Sequence, residues 1–167
     1  LSKLKPAFLK ENGTVTAGNS SGINDGAAAV VLPTAAYAQE HGLRPLARVL
    51  STASAGVEPR IMGIGPVYAI PKAIHGAGLT ADDIDYYEIN EAFAAQFLAC
   101  NRELKLPMNK VNANGSGIAI GHPVGCTGVR IIVECLSELI YRQARYGVAS
   151  LCVGGGPSMA TVIERIP

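Results

Sequence analysis

The sequence has little charge for its length. Only 16% of its 167 residues are charged, whereas an ordinary soluble domain has about 25%. This shortage predicts that part of the surface is covered by another segment or by a partner. Because 49% of the residues are hydrophobic, it does not indicate disorder. The length suffices for one domain with a sizeable core.

Long apolar runs, basic clusters and an N-terminal Met are also lacking. The longest uninterrupted apolar run, Ala27–Leu32, is far shorter than the roughly 20 residues of a membrane-spanning helix. The 14 basic and 13 acidic residues balance to +1 without a Lys/Arg run, which argues against nucleic acid as a partner. A chain that starts at Leu1 predicts either a longer protein upstream or a cleavage.

Paired cysteines are absent from the pattern as well. The four cysteines form no Cys-x-x-Cys pair, and no His stands at zinc-finger spacing from them: they are Cys100, Cys126, Cys135 and Cys152. Four are too few for a secreted disulfide scaffold of this size. We therefore expect a reduced, cytoplasmic setting, no metal site, and cysteines that are buried as small hydrophobic residues.

What the sequence does contain is strands that alternate with helices. Hydrophobic patterns predict five strands, at Ala27–Leu32, Leu46–Ala55, Asp85–Ile89, Gly147–Val153 and Met159–Glu164. They predict helices at Thr34–His41, Pro66–Ala77, Ala92–Leu104 and Cys126–Gln143, and a capped helix start at Thr80–Asp83. The alternation and the apolar strands predict an α/β fold in which a mixed five-stranded sheet is layered with helices.

A histidine held on a defined turn is the first candidate for chemistry. Gly121 permits unusual φ angles, and Pro123 biases His122 away from helical geometry, just before a long predicted helix. A purely structural histidine is the alternative. The spacing Gly115-x-Gly117-x-x-x-Gly121 also approximates a dinucleotide fingerprint, but Pro123 interrupts the required strand, turn and helix, so the match is weak.

Three further stretches could carry chemistry. Cys152 ends a strand and precedes three glycines, whose N–H groups could form an oxyanion hole; a buried strand cysteine is the alternative. Asn90 and Glu91 stand where a strand meets a helix, and the alternative for Asn90 is a helix N-cap. The small side chains of Thr14–Gly26 would let a ligand lie against the backbone, or would simply form a flexible loop.

Taken in order, these stretches resemble the thiolase family, specifically its C-terminal half. The signatures are Asn90-Glu91-Ala92-Phe93, Gly121-His122-Pro123 and Cys152-x-Gly154, together with Thr16–Gly26. The resemblance covers essentially the whole chain. It implies a thiolase-like half-domain over residues 1–167, of which residues 1–16 would be the end of the preceding loop region.

The resemblance also implies a role for each matching residue. His122 would take the proton of a nucleophilic cysteine, and Cys152 would act as acid and base at the Cα of acetyl-CoA and at the CoA thiolate. Asn90 would hold a water that, with His122, stabilises the enolate, while the Gly154 N–H would form half of a second oxyanion hole. The pantetheine arm of CoA would be lined by Phe8, Ala17, Ser21, Ala92 and Phe93.

Departures from the family pattern set limits on this reading. No cysteine here has the Cys-x-Ser-Gly context of the family nucleophile, so that residue is expected outside the chain. Ser116 and Ser158 replace usual glycines, and a serine in left-handed geometry would cost about 1–2 kcal/mol.

The resemblance implies a thiolase of fatty acid metabolism. It would condense acetyl-CoA to acetoacetyl-CoA or cleave 3-ketoacyl-CoA, with CoA thioesters as substrates and no cofactor. Its expected partners are a missing N-terminal half and further copies of the subunit, in a dimer or tetramer. The alternative is a non-catalytic structural or interaction module with the same fold.

Overall fold

A mixed sheet with helices on both faces forms the centre of the molecule. A computed structural model describes Leu1 and residues 3–167. Its strands are β1 (Ala47–Gly56), β2 (Tyr86–Ile89), β3 (Tyr146–Cys152) and β4 (Pro157–Arg165). Its α-helices are α1 (Ala35–Glu40), α2 (Pro66–Gly76), α3 (Ala94–Leu104) and α4 (Thr127–Tyr141). The predicted α/β class is therefore confirmed.

The order of strands across the sheet is β1-β4-β3-β2. β4 runs antiparallel to both β1 and β3, whereas β2 and β3 are parallel because helices connect them. The parallel pair matters for the site. Ile89 is paired with Ser150, so the carboxyl ends of β2 and β3 meet at one edge of the sheet.

Each face of the sheet has its own apolar cluster. Strand residues alternate between the faces, so that Tyr87 and Val148 pack with α2, whereas Tyr86 and Ala149 pack with α4. From α4, Ile131, Cys135 and Leu139 enter the second cluster at four-residue spacing and are fully buried. Coverage of both faces, which the apolar strands predict, is thus confirmed.

The predicted fifth strand is wrong. Residues 27–32 form no strand, and Val31 and Leu32 are 86% and 77% exposed. Within Leu1 and residues 3–167, the sheet has four strands, and residues 27–32 pair with none of them. An apolar run indicates that a segment is buried somewhere, but it does not specify the surface that buries it.

The other predicted strands and the four predicted helices are confirmed, with ends that differ by at most two residues. Thr80–Asp83 begins a single 3₁₀ turn, Ala81–Asp83, in which the Asp83 carboxylate accepts hydrogen bonds from the backbone and hydroxyl of Thr80. No helix in the described ranges is long and apolar enough to cross a bilayer.

Ser158 does not adopt the left-handed geometry considered from the sequence. It lies in β4 opposite Cys152, and positive φ angles fall instead on Gly155 and Gly156, at 94° and 110°. The Ser158 side chain fits because Gly65 faces it: a Cβ at Gly65 would stand only 2.5 Å from the Ser158 Cβ. The expected backbone penalty is therefore absent.

Candidate active site

The parallel pair of strands brings two of the predicted residues together. Asn90 directly follows β2, and Cys152 is the last residue of β3. The Asn90 N–H donates to the Ser150 carbonyl at 2.9 Å, which continues the ladder beyond the end of β2. The carboxyl edge of a parallel pair is the usual place for functional groups in such folds.

His122 reaches the same region on the loop before α4. Its backbone N–H donates to the Asn24 side-chain oxygen at 3.0 Å, and Ile23 forms a parallel bridge with it. Gly121 has the expected left-handed geometry, with φ of 117°. A Cβ there would stand 2.9 Å from the Asn24 oxygen, so glycine also permits this close approach.

The hydrogen bonds of His122 assign its tautomer. Its Nδ1 lies 2.7 Å from the Thr127 hydroxyl, which itself donates to the Pro123 carbonyl at 3.0 Å. Because the hydroxyl already donates its proton to the Pro123 carbonyl, its oxygen accepts the hydrogen bond from Nδ1–H of His122. Nε2 then carries a free lone pair. Burial, and secondarily the positive charge of Arg130, lower the pKa of His122, so the ring is a neutral base near pH 7.

Asn90 is not a helix N-cap, because α3 begins at Ala94 with Phe93 in the N-cap position. Its side chain is completely buried. The amide oxygen lies 3.4 Å from Nη2 of Arg130, and the amide Nδ2 has no hydrogen-bond partner among the described residues. A buried donor left unpaired costs about 1–3 kcal/mol. Nδ2 of Asn90 is therefore an unpaired buried donor in the described structure.

Cys152 presents a protonated thiol. The residue is only 7% exposed, and burial, with a smaller effect of the nearby Cys100 thiol, raises its pKa to about 11. In the turn that follows, Val153 donates to the Pro157 carbonyl and Gly156 donates to the Val153 carbonyl. Gly154 is exposed, and nothing lies within 4 Å of the Cβ position.

The tight part of this turn is Gly156 rather than Gly154. A Cβ at Gly156 would overlap the carbonyl oxygen of Val57, whose N–H donates to the Gly156 carbonyl at 3.0 Å. The turn therefore packs against the residue that follows β1. Gly154 remains free to offer its N–H to a ligand.

The predicted pantetheine residues lie in one neighbourhood. Ser21 donates its N–H to the Ala92 carbonyl at 2.9 Å, and the rings of Phe8 and Phe93 make an edge-to-face contact at 5.8 Å. Ala17 lies in the adjacent 3₁₀ turn, Ala17–Asn19, which Thr16 and Asn19 close with a capping box. These contacts, with the hydrogen bond from His122 to Asn24, hold the Thr16–Gly26 stretch against Ala92, Phe93 and the histidine loop.

Sequence reasoning missed the side chains that hold this arrangement. The Glu91 carboxylate accepts from the Asn112 amide at 3.1 Å and from the Ser116 N–H at 3.2 Å, and so fastens the histidine loop to β2. The Asn112 amide also bonds both backbone groups of Ile89 at 2.8 Å. Thr127 and Arg130 were missed too. Of these side chains, only Glu91 could have been found from the sequence, because it directly follows Asn90 in the signature Asn90-Glu91-Ala92-Phe93.

Comparison with known proteins gives a consistent result. The family model described as "Thiolase, C-terminal domain" matches residues 43–165, and "Thiolase, N-terminal domain" matches residues 1–36. Two proteins of Cupriavidus necator are similar over 99% of this chain and 42% of their own length. They are the beta-ketothiolase BktB, 54% identical over 166 residues, and an acetyl-CoA acetyltransferase, 55% identical over 165 residues.

Solved structures show the same likeness. The acetyl-CoA acetyltransferase of Bacillus anthracis superposes with a TM-score of 0.95 at 54% identity. Human mitochondrial 3-ketoacyl-CoA thiolase in complex with CoA superposes with a TM-score of 0.96 at 47% identity. Each comparison covers 99% of this chain and 42% of the other one. The chain thus spans less than half the length of the proteins that it matches.

Proposed function

This chain belongs to the thiolase family, and we propose that it supplies the C-terminal part of a thiolase active site. The reaction would be a thioester Claisen condensation or its thiolytic reverse: two acetyl-CoA give acetoacetyl-CoA and free CoA, or a 3-ketoacyl-CoA and CoA give two shorter acyl-CoA molecules. The observation that carries the proposal is that three groups of the family signatures are available for chemistry. These are the free Nε2 of His122, the thiol of Cys152 and the unpaired amide of Asn90.

In this proposal His122 is the base that activates a thiol nucleophile. The Thr127 hydroxyl directs Nδ1–H away from the site, and Nε2 takes the thiol proton. A neutral ring is needed for this step, and the lowered pKa of His122 supplies it near pH 7. The acylated nucleophile then holds the acyl group as a thioester, and the released CoA thiolate receives a proton.

Cys152 would supply and remove that second proton. Because burial raises its pKa to about 11, the thiol keeps its proton at neutral pH and can protonate a CoA thiolate or an enolate. In the condensation direction its thiolate would be scarce but strongly basic, as removal of a proton from the Cα of acetyl-CoA requires. The negative charge on the substrate oxygen would be met by the Gly154 N–H, and by a water held by Asn90 together with His122.

The nucleophile is proposed to lie outside these 167 residues. Cys100 and Cys135 are buried inside helices, and burial raises the pKa of both thiols, which disfavours the reactive thiolate. Cys126 is also buried, at the N-cap of α4. We propose that an N-terminal thiolase half provides the cysteine, and that the complete protein is a cytoplasmic homodimer or homotetramer of fatty acid metabolism.

Substrate binding would use the pantetheine neighbourhood. The rings of Phe8 and Phe93 would line one side of the pantetheine arm. The adjacent residues have small side chains: Ala17, Ser21 and Ala92. CoA thioesters are substrates in this scheme, and no cofactor is invoked. A dinucleotide site gains no support, because Gly115–Gly121 opens into a loop and α4 begins only at Thr127.

The decisive experiment is a chimera in which this chain replaces the matching 165 residues of the Cupriavidus necator acetyl-CoA acetyltransferase. The chimera is expected to cleave acetoacetyl-CoA with CoA, whereas the 167-residue chain alone is not. Turnover by the isolated chain would show that the nucleophile lies within it. A folded chimera without activity would favour the non-catalytic module.

Cysteine variants of the chimera separate the roles. Cys152→Ser is expected to lower condensation about a thousandfold while acylation by acetyl-CoA remains detectable, because only the proton transfer to and from substrate is lost. Cys126→Ser is the matched control and is expected to retain activity, since serine is a favoured N-cap residue. Loss of acylation in Cys152→Ser would contradict the assigned role.

A further inference from the structure

Arg130 occupies an unusual place for a cation. It lies in the first turn of α4, near the positive end of the helix dipole, and its side chain is only 12% exposed. Its Nη1 donates to the Glu134 carboxylate at 2.6 Å, and its Nε is buried without a hydrogen-bond partner in the described structure. Local stability alone does not favour a buried, partly unpaired guanidinium there.

What Arg130 touches points to the reason. Its Nη2 lies 3.4 Å from the amide oxygen of Asn90, and this is the hydrogen bond that the structure gives the Asn90 side chain. An amide has one carbonyl and one NH₂ end, so holding the oxygen at Arg130 turns the NH₂ group away from it. That NH₂ group is the buried, unpaired donor at the carboxyl edge of β2.

We propose that Arg130 is a positioning residue, which holds the Asn90 carbonyl oxygen so that the amide NH₂ faces the substrate. The inference rests on the proposed function of the site. Without the guanidinium, the amide could rotate and present its oxygen, an acceptor that would repel a developing enolate. The charged or titratable groups that face Arg130 are Glu134 on its own helix, Glu88 on β2, and His122 on the loop before α4.

A second effect follows from the charge of Arg130. It disfavours protonation of His122, in addition to the effect of burial. The two effects can be separated, because lysine keeps the charge but has no planar fork to hold the amide, whereas leucine lacks both. An arginine that only filled space would not orient the Asn90 amide.

The test uses Arg130→Lys and Arg130→Leu in the chimera, once the parent chimera has been shown to be active. Arg130→Leu is expected to lower kcat at least tenfold with less than a threefold change in KM for acetoacetyl-CoA. It is also expected to move the acidic limb of the pH profile upward. Arg130→Lys is expected to lower kcat as well but to leave that limb in place.

Arg142→Gln is the matched control. Arg142 is the C-cap residue of the same helix and also bonds a glutamate four residues away, Glu138, but it makes no hydrogen bond to Asn90 or His122. It is expected to leave kcat within twofold. An active parent with an Arg130→Leu variant that keeps both kcat and pH profile within twofold would overturn the inference. An inactive parent would instead count against the proposed function.

A double variant tests whether Arg130 acts through Asn90. At a pH where His122 is neutral in all variants, Asn90→Ala combined with Arg130→Leu is expected to be no slower than Asn90→Ala alone. Fully multiplicative losses would show that Arg130 acts elsewhere. If Arg130→Leu does not fold, the same cycle is run with Arg130→Lys, and the same two outcomes decide.

Discussion

Two regions of this chain have similar apolar content but differ in how much of it is buried. Residues 43–167 form two buried hydrophobic clusters, one on each face of a sheet. Residues 1–36 leave theirs exposed, most strongly at Ile23, Val31, Leu1 and Leu32. The two regions touch mainly at the candidate site. An apolar side chain is buried only where another surface covers it. The surface that would cover the apolar side chains of residues 1–36 is not found among the described residues.

Truncation of one leucine in each region tests this difference in burial most directly. Leu139 is fully buried under the sheet, whereas Leu32 is 77% exposed. Leu139→Ala is expected to lower the free energy of unfolding of the 167-residue chain by about 2–5 kcal/mol. Leu32→Ala is expected to change it by less than about 0.5 kcal/mol. Urea unfolding followed by circular dichroism measures both, and equal losses would mean that Leu32 is buried in solution.

The pH dependence of stability is the next contrast. Glu88 is buried in β2, and burial raises its pKa to about 8, against the opposing hydrogen bond from Tyr86. The folded state therefore holds a proton that the unfolded state releases near pH 4.5. The contribution of Glu88 to stability is expected to be fully present below that pH and to be lost as the pH rises through about 8.

The size of this loss is on the order of a few kcal/mol. Glu88→Gln should flatten the curve of unfolding free energy against pH between 5 and 8. The control, Glu40→Gln, removes an exposed carboxylate from α1 and should leave the curve as it is in the parent. A parent curve that rises over this range would show that the Glu88 carboxylate is charged in the folded state.

The contact between the two regions gives the smallest expected effect. Asn24→Ala removes the acceptor for the His122 N–H and the contact that shapes Gly121. In the chimera, kcat is expected to fall about tenfold, because a small displacement of the base misaligns proton transfer. Steady-state kinetics measure this loss, with the exposed Asn109→Ala as control. An unchanged kcat would mean that the Asn24 contact does not position His122.

Sequence patterns located the groups proposed to react but not the side chains that hold them in place. His122, Cys152 and Asn90 carry recognisable neighbours, such as Gly121, Pro123 and Gly154, because reactive side chains need special backbone turns. Arg130, Thr127 and Asn112 have no such mark. Each forms a hydrogen bond to a residue on another strand or loop. Helical periodicity in the sequence does not reveal which residue that is.

The sequence by itself determined the α/β class, the helices and four of the strands, because these follow from local periodicity and capping. It also identified the residues of the family signatures. Only the tertiary structure decided that Ala27–Leu32 is not a strand here, that Ser158 sits without strain opposite Gly65, and which way the Asn90 amide points. The physical reason is common to all three: each depends on what the rest of the fold places within a few ångströms, and local sequence does not encode that distance.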